Sequence, residues 1–279
     1  MGDRQLSGSL LGVSGLLLDL DGTLYADGAP INGAPETVAA LRRAAIPFRF
    51  VTNTTSRPRA GLVARLREYG FAAEAEEVLT PITAAGRLAR EREISVLAPF
   101  LASASLRDLE GLELRGGTSG HAPGNTLPQA VLVGDLGEQW SYALMQEAFS
   151  YMVEGALLIA LSRDRYWWTN GRLALDAGPF VAALEYAASC EAVLVGKPSP
   201  DFFHAAASAL GAPAVEGQVA MIGDDLWSDV RGAQQAGYRG WLVRTGKFRE
   251  DALRDSGIRP DRMLDTIADL RDHAEALAE

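Results

Sequence analysis

Short apolar runs alternate with segments of helical period through the first part of this chain. Leu16–Leu20 predicts a buried strand: its leucines run without alternation, and Gly15 bounds them. Pro35–Ala45 sets Val38 and Leu41 on one helical face, Pro47–Thr52 predicts a second strand, and Arg57–Tyr69 predicts a helix that ends at Gly70. Strand–helix alternation of this kind implies a Rossmann-like, doubly wound parallel sheet in an α/β fold. Between the first strand and helix, residues 21–33 carry three glycines and one proline, a composition expected of a flap over the strand end.

The pattern then changes. Strands are expected near Ile94–Leu97, Ala130–Val133 and Leu157–Ala160, and helices near Ser103–Leu109, Ser141–Glu154 and Pro179–Ala188. A loop rich in Gly, Ser, Thr and Pro separates them at Gly116–Asn125. After this stretch the first pattern resumes, with an apolar Val193–Val195, a helix over Asp201–Leu210, a strand at Val219–Ile222, a helix over Asp229–Ala236, a strand at Gly240–Val243, and a short edge element and helix from Pro260 onward. The expected organisation is a core in two parts, residues 1–85 and 191–279, with an α/β domain inserted over 86–190.

Composition narrows the function classes. A chain of 279 residues with 48% hydrophobic content can build a substantial core. Its net charge of −10 argues against a nucleic-acid partner or a membrane surface, both of which call for a basic stripe. It leaves room for a small anionic substrate, since a bound cation and a few basic side chains can override the global field. Cys190 is the single cysteine; no internal disulfide can form, a reducing cytosol fits, and a small core residue is the expected role. No apolar stretch is long enough for a membrane span, and Met1–Gly12 lacks the look of a secretory leader. A cytoplasmic location is the expectation.

The candidate chemistry begins where the first strand ends, at Asp19-Leu20-Asp21-Gly22-Thr23. Ligands of open α/β sheets bind beyond the carboxyl ends of the strands. Alternate residues of a strand share a face, so these two carboxylates fall together and repel unless a cation or a shared proton joins them. Three more polar clusters follow or adjoin apolar strands: Thr52-Asn53-Thr54-Thr55 after Phe48–Val51, Gly196-Lys197-Pro198, and Gly223-Asp224-Asp225 with Asp229 after Ala220-Met221-Ile222. Together they supply carboxylates, a hydroxyl and an ammonium, the set that phosphoryl transfer to a carboxylate needs. Asp19 is the candidate nucleophile, forming an aspartyl-phosphate. Asp21 is the candidate acid that protonates the leaving oxygen and then activates water. Mg2+, which takes a few carboxylates together with water and phosphate oxygen, is expected on Asp19 and Asp224, with the backbone carbonyl of Asp21 added and Asp229 holding a bound water. Lys197 serves as a point charge toward nucleophile and phosphate, and Thr52, with Asn53 beside it, binds the phosphoryl oxygens. Each residue also has a plain structural use: Thr52 as a helix cap, Lys197 as a solvated loop residue, Asp224 and Asp225 as caps. The order and setting of all four clusters favour the chemistry.

These motifs, in this order, resemble the haloacid dehalogenase superfamily of phosphatases, and the insertion between the second and third resembles the large α/β cap of its NagD-like branch. Gly178-Pro179-Phe180-Val181, Gly196-Lys197-Pro198-Ser199-Pro200-Asp201-Phe202-Phe203 and Arg244-Thr245-Gly246-Lys247-Phe248-Arg249 are most similar to the phospholysine phosphohistidine inorganic pyrophosphate phosphatases and their dehalogenase-like relatives. One departure is the second motif, Thr-Asn-Thr-Thr, where many NagD-like members have a second Asn. The resemblance implies a Mg2+-dependent phosphatase of small phosphate monoesters. The alternatives are hydrolysis of P–N bonds or pyrophosphate, and a non-catalytic binding module that keeps the fold. Asp21 favours phosphoryl chemistry over the dehalogenation that names the superfamily.

The resemblance also gives the cap the role of substrate selection. Arg163, Arg165, Tyr166, Trp168 and Asp176 are the candidates: two guanidinium groups beside aromatic rings can grip an anionic or planar substrate. The same aromatics serve equally well as cap core or as a dimer contact. A homodimer through the cap, with Ser141–Tyr151 at its surface, is implied in the same way. His121, His204 and His273 are scattered and suggest no metal cluster, with His204 expected at the surface or in packing.

Overall fold

A computed structural model describes residues 10–120, 126–169, 172–211 and 217–278. The leucine run forms β1 (Gly15–Asp19), buried along its whole length. The glycine-rich stretch after it holds a small antiparallel hairpin of β2 (Tyr25–Ala26) and β3 (Ala29–Pro30). Next come α1 (Ala34–Arg43), which has a proline in its first turn and buries Val38, Ala40 and Leu41, then β4 (Phe48–Val51), α2 (Arg59–Glu68) and β5 (Val78–Leu79). The chain continues through α3 (Pro81–Glu91), β6 (Val96–Phe100), β7 (Glu113–Leu114), β8 (Ala130–Val133), α4 (Tyr142–Val153) and β9 (Leu157–Ala160). A second antiparallel hairpin, β10 (Tyr166–Thr169) with β11 (Arg172–Leu175), precedes α5 (Ala177–Ala188) and β12 (Val193–Leu194). The last section holds α6 (Pro200–Ser208), β13 (Val219–Gly223), a π-helical turn at Leu226–Arg231, α7 (Gly232–Gln235), β14 (Arg239–Val243), α8 (Glu250–Ser256), β15 (Arg262–Leu264) and α9 (Arg271–Ala278).

These elements form two units. The first takes the chain up to Thr52, Leu62–Leu79, and everything from Lys197 onward. Its sheet is parallel throughout, in the order β15-β14-β13-β1-β4-β5. Leu16, Leu18, Phe48, Phe50, Ala220, Ile222, Trp241 and Val243 share one core cluster with Val38 and Leu41 of α1 and Ala274 of α9. The alternation of strand faces explains why every second residue recurs there.

The second unit takes Asn53–Gly61 and Thr80–Gly196. Its parallel sheet runs β12-β9-β8-β6-β7. Leu97, Ala130, Leu132 and Ile159 face one cluster; Ala98, Val131, Val133 and Leu158 face another with Val181 and Leu184 of α5. The inserted unit is thus wider than residues 86–190. Its earlier start follows from α3, whose buried Ile82, Ala85 and Ala89 lie in the cluster with Leu97 and Leu132.

Several local expectations change. Ser103–Leu109 is 3-10 rather than α-helical. The helix expected over Asp229–Ala236 begins earlier and divides into the π turn and α7. Cys190 is exposed rather than in the core, because it directly follows the left-handed C-cap Ser189 that ends α5. On α4, Tyr142 and Val153 are exposed. His204 lies at the surface, its Nδ1 3.0 Å from the Tyr238 hydroxyl; His121 lies outside the described residues. Among the described residues, no helix is long and apolar enough to cross a membrane.

Candidate active site

The parallel register builds the site at the carboxyl ends of the central strands of the first sheet. Asp19, the last residue of β1, pairs with Val51 of β4, so Thr52 follows directly beside it. On the other side Leu18 pairs with Ile222 of β13, which brings the segment with Asp224 alongside. Chain direction across the sheet reverses between β1 and β13, the kind of switch point where open α/β sheets bind ligands.

Lys197 ties these strands together. Its Nζ donates to Asp19 Oδ1 at 2.5 Å and stands 2.7 Å from Asp229 Oδ1, and all three side chains are buried. Oxygens of Asp19, Asp224 and Asp229 lie within 4.8 Å of one another. Lys197 is therefore an ion-paired core residue, not a solvated one. Asp229 is fixed on its other oxygen by the Asp225 backbone N–H, at 3.1 Å. Gly223 leaves the space this carboxylate occupies, since a Cβ there would come within 2.1 Å of Asp229 Oδ2.

The two adjacent aspartates divide the roles open to them. Asp225 caps the π turn, accepting from the backbone N–H groups of Trp227 and Ser228 at 3.0 Å each, whereas Asp224 faces the carboxylate cluster. Thr52 is buried, and its backbone N–H donates to the Leu79 carbonyl. It is no helix cap, because α2 begins only at Arg59. Asp21 is exposed and accepts from the Tyr25 hydroxyl at 3.3 Å. Asn53 falls in the second unit, where its Oδ1 lies against Gly196.

Electrostatics marks the cluster as short of positive charge. Burial, and then the charges of Asp19 and Asp229, hold the Asp224 carboxyl well above the usual range. Burial raises Asp229 to about 7, with Lys197 opposing and Asp19 adding to the rise. Asp19 is raised by burial against the pull of Lys197. Lys197 is held firmly cationic: burial works against its charge, but Asp19 and Asp229 outweigh it. Three buried carboxylates around one ammonium form an all-oxygen donor set that fits a hard divalent cation.

Two family profiles bracket the chain: one described as Haloacid dehalogenase-like hydrolase over residues 16–111, the other as HAD-hydrolase-like over 194–270. Phospholysine phosphohistidine inorganic pyrophosphate phosphatase from Homo sapiens is 39% identical over 269 residues, which is 94% of this chain and 94% of that one. This chain belongs to the haloacid dehalogenase superfamily. Within the superfamily it is a phosphatase, and it shares the fold of NagD from E. coli K-12. The solved p-nitrophenyl phosphatase from Archaeoglobus fulgidus is similar with a TM-score of 0.83 at 26% identity, covering 93% of this chain and 98% of that one. A glycerol phosphate phosphatase from Mycobacterium tuberculosis, solved in complex with calcium, is similar with a TM-score of 0.77 at 27% identity, covering 92% and 74%.

The candidate specificity residues of this haloacid dehalogenase member lie on and beside the β10–β11 hairpin. Arg163 forms an ion pair with Glu185 of α5. Asp176 is the N-cap of α5, accepting from the Ala177 N–H at 2.6 Å. Arg165 and Tyr166 are exposed, and Trp168 lies within β10. Two neighbours of the candidate site carry only weak sequence signals. Thr23 donates to Asp19 Oδ2 at 3.4 Å, and Tyr25 holds Asp21 as described. Both sit in the turn after β1, where a Thr and a Tyr also suit ordinary packing.

Proposed function

We propose that the protein hydrolyses small phosphate monoesters in a Mg2+-dependent reaction through an aspartyl-phosphate on Asp19. The observation that carries this reading is the buried Lys197 ammonium set between Asp19 and Asp229, with Asp224 in the same cluster. Asp19 and Asp224 would hold Mg2+, with the Asp21 backbone carbonyl, and Asp229 stands behind them. The ion supplies charge neutralisation between an anionic nucleophile and an anionic substrate. The calcium in the glycerol phosphate phosphatase is likewise a hard oxygen-seeking cation.

The chain's own groups carry the reaction. An Asp19 oxygen bonds to phosphorus as the bond to the leaving oxygen breaks, and the Asp21 carboxyl gives that oxygen its proton. Lys197 stays charged throughout and balances the transferring group, while Thr52 and neighbouring backbone N–H groups bind the phosphoryl oxygens. In the second half Asp21 takes a proton from water as the water oxygen attacks phosphorus, and the bond to Asp19 breaks to release phosphate and restore the carboxylate. The Tyr25 hydroxyl holds Asp21 toward this work.

A second reading is cleavage of P–N bonds or pyrophosphate, favoured by the 39% identity to a phospholysine phosphohistidine inorganic pyrophosphate phosphatase. The same core residues serve it, and the side chains around the β10–β11 hairpin select the substrate. A cytoplasmic location fits the single exposed thiol. The test is phosphate release from p-nitrophenyl phosphate, glycerol phosphate, phosphohistidine, phospholysine and pyrophosphate, with Mg2+ and with EDTA. Fastest Mg2+-dependent release from the monoesters supports the first reading; fastest release from the P–N compounds or pyrophosphate replaces it with the second. Release that survives EDTA overturns the metal dependence.

A further inference from the structure

The loop after β14 touches both carboxylate-bearing turns of the site, although none of its residues belongs to the four sequence clusters. Three contacts do this. The Thr245 hydroxyl donates to the backbone carbonyl of Gly22 at 2.5 Å, and Gly22 directly follows Asp21. The Lys247 backbone N–H donates to Asp224 Oδ2 at 2.6 Å. Gly246 between them packs so closely that a Cβ would stand 1.9 Å from Asp224 Oδ2 and 2.6 Å from the Gly22 Cα. Gly246 also has a φ of +56°, in the left-handed region that favours glycine. The Lys247 ammonium adds a fourth contact, 3.1 Å from Asp225 Oδ2.

This pattern is more than loop packing. Thr245 is half-buried, and Gly246 and Lys247 are exposed, so hydrophobic burial does not fix the turn. What fixes it are polar bonds to the two strand-end turns that carry Asp21 and Asp224. Gly22 reciprocates: its φ is +86°, and a Cβ there would stand 1.9 Å from Asp224 Oδ2 and 3.1 Å from the Gly246 Cα. Two side-chain-free residues thus flank one carboxylate oxygen, and a backbone N–H binds it. The backbone N–H partly offsets the charge of this carboxylate in a site already crowded with anions.

We propose that Thr245-Gly246-Lys247 is a positioning turn that orients Asp224 for the divalent cation and fixes the Asp21–Gly22 backbone beside it. The proposal rests on the metal-dependent reading given above. Thr245 and Gly246 are positioning residues: they act through Asp224 and Gly22 and need not touch substrate. Partners of this kind, one step out from the ligands, typically change metal affinity by about 10- to 100-fold when altered.

The test is thermal unfolding of the full-length protein titrated with Mg2+ alone, which reads cation binding without turnover. Wild type is expected to gain stability with Mg2+, and Asp224→Asn is expected to lose that gain. Thr245→Val, which keeps shape but removes the donor, is expected to need about 10-fold more Mg2+ for half of the shift, with an unfolding temperature in EDTA close to wild type. Thr245→Ser, which restores the hydroxyl, is expected to return the Mg2+ response to the wild-type range. Gly246→Ala is expected to weaken Mg2+ at least as much as Thr245→Val. Lys247→Ala keeps the backbone N–H and is expected to shift the response less than either. In turnover assays, Thr245→Val is expected to recover most of its kcat at saturating Mg2+, with KM for the phosphoester little changed.

Two results would overturn the proposal in different ways. A wild-type protein that gains no stability from Mg2+ removes the metal-dependent reading, and the positioning role falls with it. A wild type that responds, together with Thr245→Val and Gly246→Ala variants that respond at the same Mg2+ concentration, removes the positioning role and leaves the metal-dependent reading standing. If Gly246→Ala does not fold, the Thr245→Val and Thr245→Ser pair decides alone.

Discussion

Two parallel sheets wound by the same rule end differently in this protein. In the first, the direction of winding reverses between β1 and β13; in the second, it reverses between β6 and β8. At the first reversal stand the carboxyl groups of Asp19 and Asp224, both buried. At the second, Gly134 follows β8 where a Cβ would press on Leu161 at 2.9 Å and Leu101 at 3.2 Å. Thr55 fills the remaining space: its hydroxyl accepts from the Asp135 backbone N–H at 3.0 Å, and Ser105 donates to its carbonyl at 3.0 Å. One crevice is lined with carboxylates and the other is plugged by small, satisfied polar groups. The winding provides a switch point in both units, and only the side chains at the strand ends give one of them the donor set that the proposed reaction needs. Among the described residues, the single group of acidic side chains close enough to share a metal ion is that of the first sheet.

Substitutions can break this contrast at either end. The largest effect is expected from Asp19→Asn, which removes the nucleophile while keeping its shape; kcat should fall by about 10^3 or more, because such groups act as a unit. Phosphate release with Mg2+ checks it, and a variant of wild-type activity would end the aspartyl-phosphate reading. Thr55→Val in the plugged crevice should do the reverse. It strands the Asp135 N–H, at a cost of about 1–3 kcal/mol, with turnover unchanged. Urea unfolding and kcat measured on one preparation decide whether the second crevice serves structure alone.

A smaller effect follows from protons. Asp19, Asp224 and Asp229 all hold protons more tightly when folded than their ordinary values would give, and Asp229 does so up to about 7. The metal-free folded state therefore binds more protons than the unfolded chain between about pH 4 and pH 7, so its stability should fall as pH rises through that window. Mg2+ should flatten the slope by replacing those protons. Unfolding temperatures across the window, in EDTA and in Mg2+, make the comparison; equal slopes in both would argue that the carboxylates do not share a cation.

Much of the first sheet was legible because buried parallel strands read as unbroken apolar runs, and β1, β4, β13 and β14 lie within one residue or so of their expected bounds. The proposed reactive groups were legible because each follows such a run closely. What escaped had a physical reason in each case. The face of α3 is built from Ile82, Ala85 and Ala89, and two alanines make a faint stripe; the better signal was its start, where Thr80 and Thr83 cap reciprocally and Pro81 opens the helix. The β10–β11 hairpin did carry a local sequence signal, Asn170-Gly171 between two β-prone runs, but the same aromatic run also suits a substrate loop. The spacing from Asp224 to Asp229 suits a turn of ordinary helix, but the turn that carries Asp229 is π-wound and starts at Leu226. The Thr245–Lys247 turn was beyond reach from spacing alone, since its contacts span 223 residues to Gly22 and 23 to Asp224.

The 178 residues between Asp19 and Lys197 also set an order in time. At about 5–20 residues per second of synthesis, the carboxylate waits roughly 10–35 s for its ammonium. Until β13 is made, β1 has β4 on one side and nothing on the other, whereas the last strand of the second unit, ending at Leu194, already precedes Lys197 in the chain. The candidate site therefore cannot close until Lys197 and, beyond it, β13 and Asp229 have been made. The sequence of the second unit, up to Gly196, is made before β13, the strand that pairs with β1 in the first sheet.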